Sequence, residues 1–248
     1  TPPVTESVQW FDAAGEHIGP GVVTKDDILE AHVRLGPGLM LEQDLELSVE
    51  HSVASITDVI ETPDGEFTNY VVRIQVHEAI EQAIDLIIPA GAFSDINGNP
   101  NLLEQHSVVI DNQSPTVISS RFVDESAITL RDVTNSPTIY LEVYFSEDVF
   151  GLDQSGFDSS TLSGVNIVDI VAIDGVSDAY TLELSLDQNI EGALKLDMLA
   201  NAVEDALGNS SEFDSESLAT IEVDRVLPSV TRFNSYLQTG GDEESLYI

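Results

Sequence analysis

A segment of this chain returns a domain-length later with its turn chemistry intact. Residues 90–99 contain Ala90, Ala92, Asp95, Gly98 and Asn99, and residues 200–209 carry Ala200, Ala202, Asp205, Gly208 and Asn209 at the same places. Each copy leads into an apolar strand and a short exit: Val109, Ile110, Asp111 and Pro115 in the first, Val223, Asp224 and Pro228 in the second. The offset is 110 residues from Asp95 to Asp205 and 113 from Asp111 to Asp224. A fixed period of this length implies tandem modules. The 248 residues then divide into a module over 1–113, a second over 114–226, and the opening of a third over 227–248.

Within each module short alternating runs sit between Gly, Pro and Asp punctuation. That pattern belongs to an all-β sandwich. In the first module strands are expected over 4–11, 28–35, 44–50, 53–60, 69–77, 84–88 and 107–110, with a turn at Thr62, Pro63, Asp64 and Gly65. In the second they are expected over 116–123, 138–145, 165–173, 180–186, 193–198 and 218–223, with a hairpin turn at Asp174 and Gly175. Residues 229–236 read as the first strand of a third module. The linkers are a few residues long and hold Pro115 and Pro228, which makes them stiff.

Charge is the second constraint. Forty-five acidic residues against 8 basic ones give a net charge of −37. Nucleic acid is excluded as a partner, because phosphate contacts need Lys and Arg. Anionic membrane surfaces are excluded on the same ground, and no apolar run reaches the roughly 20 residues of a membrane span. Such a charge repels itself and disfavours the compact state unless counter-ions offset it. Both salt and bound divalent cations fit a saline exterior. The chain has no cysteine, so thiolate zinc sites, iron–sulfur clusters and disulfides are absent, and bound cations are left to take over the stapling role.

Tyr144, Phe145, Ser146, Glu147, Asp148, Val149, Phe150, Gly151 and Leu152, followed by Gly156, Phe157 and Asp158, the 200–209 loop, and Val223, Asp224 and Pro228 form a pattern that resembles the bacterial Ig-like repeats. These occur in large surface adhesins and secreted multidomain proteins. The resemblance covers nearly all of 114–230. It is partial for the first module, which has Leu35, Gly36, Pro37 and Gly38 where the second has Phe145, Ser146 and Glu147. It implies tandem Ig-like β-sandwich domains joined by short linkers and used as extenders, with calcium at domain junctions and no catalytic residues.

Asp95, Asn97 and Asn99 have the alternate-oxygen spacing of a calcium loop. Pro100 and His106 then stand where an EF-hand needs glycine and glutamate. Taken alone, the loop reads better as a plain turn, with Gly98 at positive φ and Asp and Asn side chains capping the backbone. The topology of an Ig sandwich sharpens the case for a metal elsewhere. The loop before the last strand lies at the pole where the chain comes in, so Asp205 and Asn209 are expected to face the linker carrying Asp111 and Asn112. Glu147, Asp148 and the 174–178 hairpin share that pole, and the first module adds Glu78 and Glu81. So many carboxylates repel one another, whereas calcium takes six to eight oxygens. Asp224, Asp187 and Glu191 would be the counterparts at the next junction.

All five histidines, His17, His32, His51, His77 and His106, fall in the first module. Their spacing fits no ligand motif, and surface or strand-edge positions are the better reading. No nucleophile-elbow motif is present. The tyrosines at 70, 140, 144 and 180 lie within strands, where cross-strand packing accounts for them. The sequence therefore reads as non-enzymatic spacer repeats of a secreted or cell-surface bacterial protein. Neighbouring repeats would be its partners, and a polysaccharide or cell-surface ligand would be met through other domains. A carbohydrate-binding module of a polysaccharide-degrading enzyme is the alternative.

Overall fold

The computed structural model describes residues 1–158, 163–212, 218–229 and 232. The chain is all-β. In the first half the strands are β1 (Ser7–Phe11), β2 (His17–Ile18), β3 (Val23–Thr24), β4 (Ile28–Leu35), β5 (Glu46–Leu47), β6 (Ala54–Asp64), β7 (Phe67–Val76), β8 (Glu81–Ile88) and β9 (Glu104–Asp111). In the second half they are β10 (Val117–Val123), β11 (Val133–Thr134), β12 (Thr138–Phe145), β13 (Phe157–Asp158), β14 (Val165–Ala172), β15 (Ala179–Leu186), β16 (Glu191–Lys195), β17 (Asp197–Met198) and β18 (Thr220–Asp224). Residues 230, 231 and 233–248, which hold most of the strand expected over 229–236, lie outside the described residues.

The first half forms one sheet in the order β2-β1-β4-β7-β6 and another in the order β3-β9-β8-β5. The second half repeats the orders β10-β12-β15-β14 and β11-β18-β16, with β13-β17 as a further pair. The pairings β3 with β9 and β11 with β18 are parallel, and all other pairings among the described residues are antiparallel. Each half has its own core. Leu29, Val33, Val72 and Ile74 of one sheet meet Ile84, Leu86 and Ile110 of the other. Ile139, Leu141, Leu182 and Leu184 likewise meet Leu194, Ile221 and Val223. The alternation in β4 and β7 produces this directly, because every second side chain turns inward. Each large aliphatic side chain so buried contributes about 1.5–3 kcal/mol.

Two expectations shift. The alternation over 44–50 yields only the two paired residues of β5. Leu45 is buried, and Leu47 and Val49 pack partly against the core; the pattern there records which side faces inward, and backbone pairing is confined to a sheet edge. The turn expected over 62–65 is tighter, since β6 runs through Pro63 to Asp64 and only Gly65 and Glu66 make the turn. Proline is tolerated because β6 is an edge strand. Both edge strands β6 and β14 carry a register shift at matching places, Ile56/Asp58 and Ile167/Asp169. Such bulges, with an acidic residue beside them, block edge-to-edge pairing.

One five-residue turn occurs four times, beginning at Asp12, Asp95, Asp124 and Asp205. In each, the aspartate Oδ1 accepts the N–H two and four residues on. The fourth residue is at positive φ: Gly15, Gly98 and Gly208 in three copies, and Ala127 at 58° in the other. A Cβ in this conformation costs roughly 1–2 kcal/mol, partly offset by the lower unfolded-state entropy of alanine. Ala127→Gly is therefore expected to raise stability by about 0.5–1 kcal/mol in chemical denaturation, with no change in the slope against denaturant; a loss of stability would show that the turn is not under strain.

Candidate metal centre

Between the two cores the chain crosses through Asn112, Gln113, Ser114, Pro115 and Thr116. Asn112 belongs to the first half: its N–H donates to the Ile80 carbonyl at 3.1 Å, its Oδ1 accepts the Ile80 N–H at 2.7 Å, and its Nδ2 donates to Asp27 at 2.7 Å. Thr116 belongs to the second: its N–H donates to Ser146 Oγ at 3.0 Å, and its carbonyl accepts the Ser146 N–H at 2.8 Å. Only residues 113–115 remain as the hinge, and Pro115 is buried.

Four segments converge on this hinge. Asp111 ends β9, and Glu81 opens β8 directly opposite it in the ladder. Glu147 follows β12. Asp205 opens the loop before β18. The Glu147 and Asp205 segments are fixed to each other by reciprocal bonds between Phe150 and Glu204, at 2.7 and 3.1 Å. Val149 is anchored by the carbonyl of Ser177 and by the Tyr180 hydroxyl, which donates to the Val149 carbonyl at 2.9 Å. The outcome is that one carboxylate oxygen each of Asp111, Glu147 and Asp205 lie within 4.8 Å of one another.

The electrostatics match the geometry. Burial, then the charges of Asp111, Asp205 and Glu81, push the Glu147 carboxyl up to about 7. Burial also raises Asp111, reinforced by Asp205 and Glu81 and opposed by the Gln113 N–H. Like charges held this close favour a shared proton or a shared cation. Three carboxylates with no nitrogen or sulfur ligand are a hard-cation donor set.

Two bonds tie the halves at the same place. Asn209 Nδ2 donates to the Asp111 carbonyl at 2.9 Å and also to Asp205 Oδ2 at 2.7 Å. Lys25 Nζ donates to the Gly208 carbonyl at 3.0 Å. Sequence reasoning passed over Lys25; its signal was its sign, as one of only 8 basic residues in the chain.

The remaining expected site residues are placed elsewhere. Asn112 has both side-chain ends engaged within the first half. Asp148 and Glu78 are exposed and stand outside the carboxylate group. Asp95, Asn97 and Asn99 form the plain turn: Asp95 Oδ1 takes two backbone N–H groups and Oδ2 takes Asn99 Nδ2 at 2.8 Å. The Asn99 side chain, then the Asn99 N–H, hold the Asp95 carboxyl below its usual range. Asp224 accepts the Val226 N–H at 3.2 Å on the exposed exit of the second half. Among the histidines, His32 stands against Glu30 and Phe11, whereas His77 bonds Ser55 and faces His51 at 6.4 Å between ring centres. Among the described residues, the carboxylate triad is the one group of three or more His, Asp or Glu close enough to share an ion. No known protein family and no curated protein matches the chain.

Proposed function

We propose that the chain is a pair of tandem Ig-like sandwich modules that acts as a spacer in a secreted or cell-surface bacterial protein, with calcium at the junction fixing the angle between modules. The observation that carries this is the meeting of Asp111, Glu147 and Asp205 at the three-residue hinge. The module reading is supported by strand order. In each half the first, second, fifth and fourth main strands make one sheet, and the last two lie in the other, as in an Ig constant-type domain. The matched turns at Asp95 and Asp205, and at Asp12 and Asp124, support the tandem repeat.

The mechanism is mechanical. Without a cation, three carboxylates at the hinge repel and open it. With calcium, oxygens from both modules share one ion and the hinge becomes part of a rod. Extracellular modules hold calcium at about 10⁻⁴–10⁻³ M, so the switch is set by the millimolar calcium outside a cell. Neighbouring repeats are the partners at the chain level, and the role is not enzymatic. Small-angle scattering of the 248-residue chain tests the reading: the maximum dimension and its spread are expected to be larger and narrower, respectively, in calcium than in chelator. Superimposable distance distributions would refute the switch.

A further inference from the structure

We propose that the pole of the first half opposite the hinge is a docking face for the exit end of a second copy of this chain. The hinge shows how such a face is covered. There the turn from Asp205 to Asn209 lies against the first half: the Gly208 carbonyl accepts Lys25 Nζ, and Asn209 Nδ2 donates to the Asp111 carbonyl. Asp205 is buried, and Gly208 and Asn209 are half-buried. The matching turn of the first half has the same internal bonds, with Asp95 Oδ1 accepting the Asn97 and Asn99 N–H groups and Oδ2 accepting Asn99 Nδ2. Its Gly98 and Asn99 are nevertheless exposed, and Ile96 is 92% exposed.

The bare face differs from the covered one in one direction. Ile96 stands where the second half has Ala206, Leu102 where it has Glu212, and Pro37 where it has Glu147. Leu102 and Leu103, which lead into β9 at this pole, are exposed, and so is Val4 beside the Thr5–Glu104 bonds. Carboxylates that suit an ion are replaced here by apolar surface, and exposed apolar groups gathered at one end mark a contact face.

The exit end of the second half supplies the counterpart, because it repeats the exit that the hinge already seats. Glu191 pairs with Asp224 as Glu81 pairs with Asp111, and the Arg225 N–H donates to the Ile190 carbonyl at 2.9 Å as the Asn112 N–H does to Ile80. Val226 and Leu227 just beyond are exposed, Leu227 at 78%. Arg225 adds a positive charge where the first half has Asn112. Seated as at the hinge, Asn99 Nδ2 meets the Asp224 carbonyl, Leu227 meets the apolar surface around Ile96, and Arg225 comes towards Asp95. Entry and exit are different surfaces, so the contact is heterologous and builds an open row of copies. The proposal rests on the tandem-module reading but not on the calcium switch.

Sedimentation equilibrium of the whole chain tests it, in chelator and at ~0.5 M NaCl to screen the net charge of −37. The weight-average mass is expected to climb from ~0.01 to ~1 mM chain without levelling at the dimer, as for a contact on the order of 10⁻⁴ M. Ile96→Asp on the entry face and Leu227→Asp on the exit, both at exposed positions, are each expected to weaken association about tenfold or more with the melting midpoint unchanged. An equimolar mixture of the two variants restores a single contact, the exit of the first against the entry of the second, and stops at the dimer. A wild-type chain that stays monomeric, or levels at the dimer, overturns the proposal. So does either variant assembling like wild type, or a mixture that stays monomeric. Because chelator is present throughout, failure of the calcium reading would leave these outcomes untouched.

Discussion

Calcium at ~10 mM is expected to stabilise the wild-type chain by roughly 1.4–2.7 kcal/mol per site, seen as a rise of several degrees in the melting midpoint. The range follows from the affinity of extracellular calcium modules, since a ligand at 10 to 100 times its dissociation constant stabilises by RT ln(1 + [L]/Kd). Asp205→Asn isolates the cause. Asparagine keeps an Oδ1 to accept the Leu207 and Asn209 N–H groups but puts an NH2 where Oδ2 accepts Asn209 Nδ2, so one bond of the turn is lost with the charge. The variant should melt somewhat lower than wild type in chelator and respond weakly to calcium. Asp95→Asn is the matched control, because it makes the same change in the same turn away from the hinge; its calcium response should equal the wild type. If Asp205→Asn and wild type rise together, the ion sits elsewhere or binds nowhere.

In chelator, stability is expected to fall as pH rises from the ordinary carboxylate range to about 7, and calcium should lessen that fall. The sign follows from Glu147. Its carboxyl is raised to about 7 in the folded chain from an ordinary 4.5, chiefly by burial and then by Asp111, Asp205 and Glu81. The folded state therefore holds the proton more tightly than the unfolded state across that interval. Stability is highest with Glu147 protonated, and it declines as the folded group ionises. Asp111 is shifted the same way and adds to the slope. A cation replaces the proton, so the part of the fall that comes from Glu147 and Asp111 should be missing in calcium over the same interval. Because the remaining acids give their own background slope, the diagnostic is the difference from Glu147→Gln, which has no proton to lose. Chelator profiles of the two proteins that run parallel between about pH 5 and pH 8 would remove the linkage.

The parts of the fold legible in the sequence were those with one side wet and one side dry. Thr138–Phe145 appears with the expected bounds because its alternation and β-branched and aromatic content agree. The 44–50 run misled because an edge position supplies sidedness without pairing. At the junction, the expected meeting of Asp111, Glu147 and Asp205 came from the Ig-sandwich topology that the resemblance implies, since that topology decides which loops share a pole. What topology cannot give is reach. Glu147 arrives because Phe150 and Glu204 bond to each other, and Asp148, one residue on, is turned to solvent. Asn112 was read as a ligand from its location, yet its amide is committed to Ile80 and Asp27. Lys25 stood out by its sign, but its partner, a backbone carbonyl 183 residues away, leaves no mark in the side-chain pattern.

The parallel pairing of β3 with β9, and of β11 with β18, bears on how such a chain carries load. In each half a strand near the start is bonded side by side to the strand that leaves. A pull on the two ends drives these neighbours past one another, so their cross-links are strained together and cannot peel one by one. Tension from the ends would load β1 and β10, each paired into its own sheet, before it reached the β3–β9 and β11–β18 clasps on either side of residues 113–115.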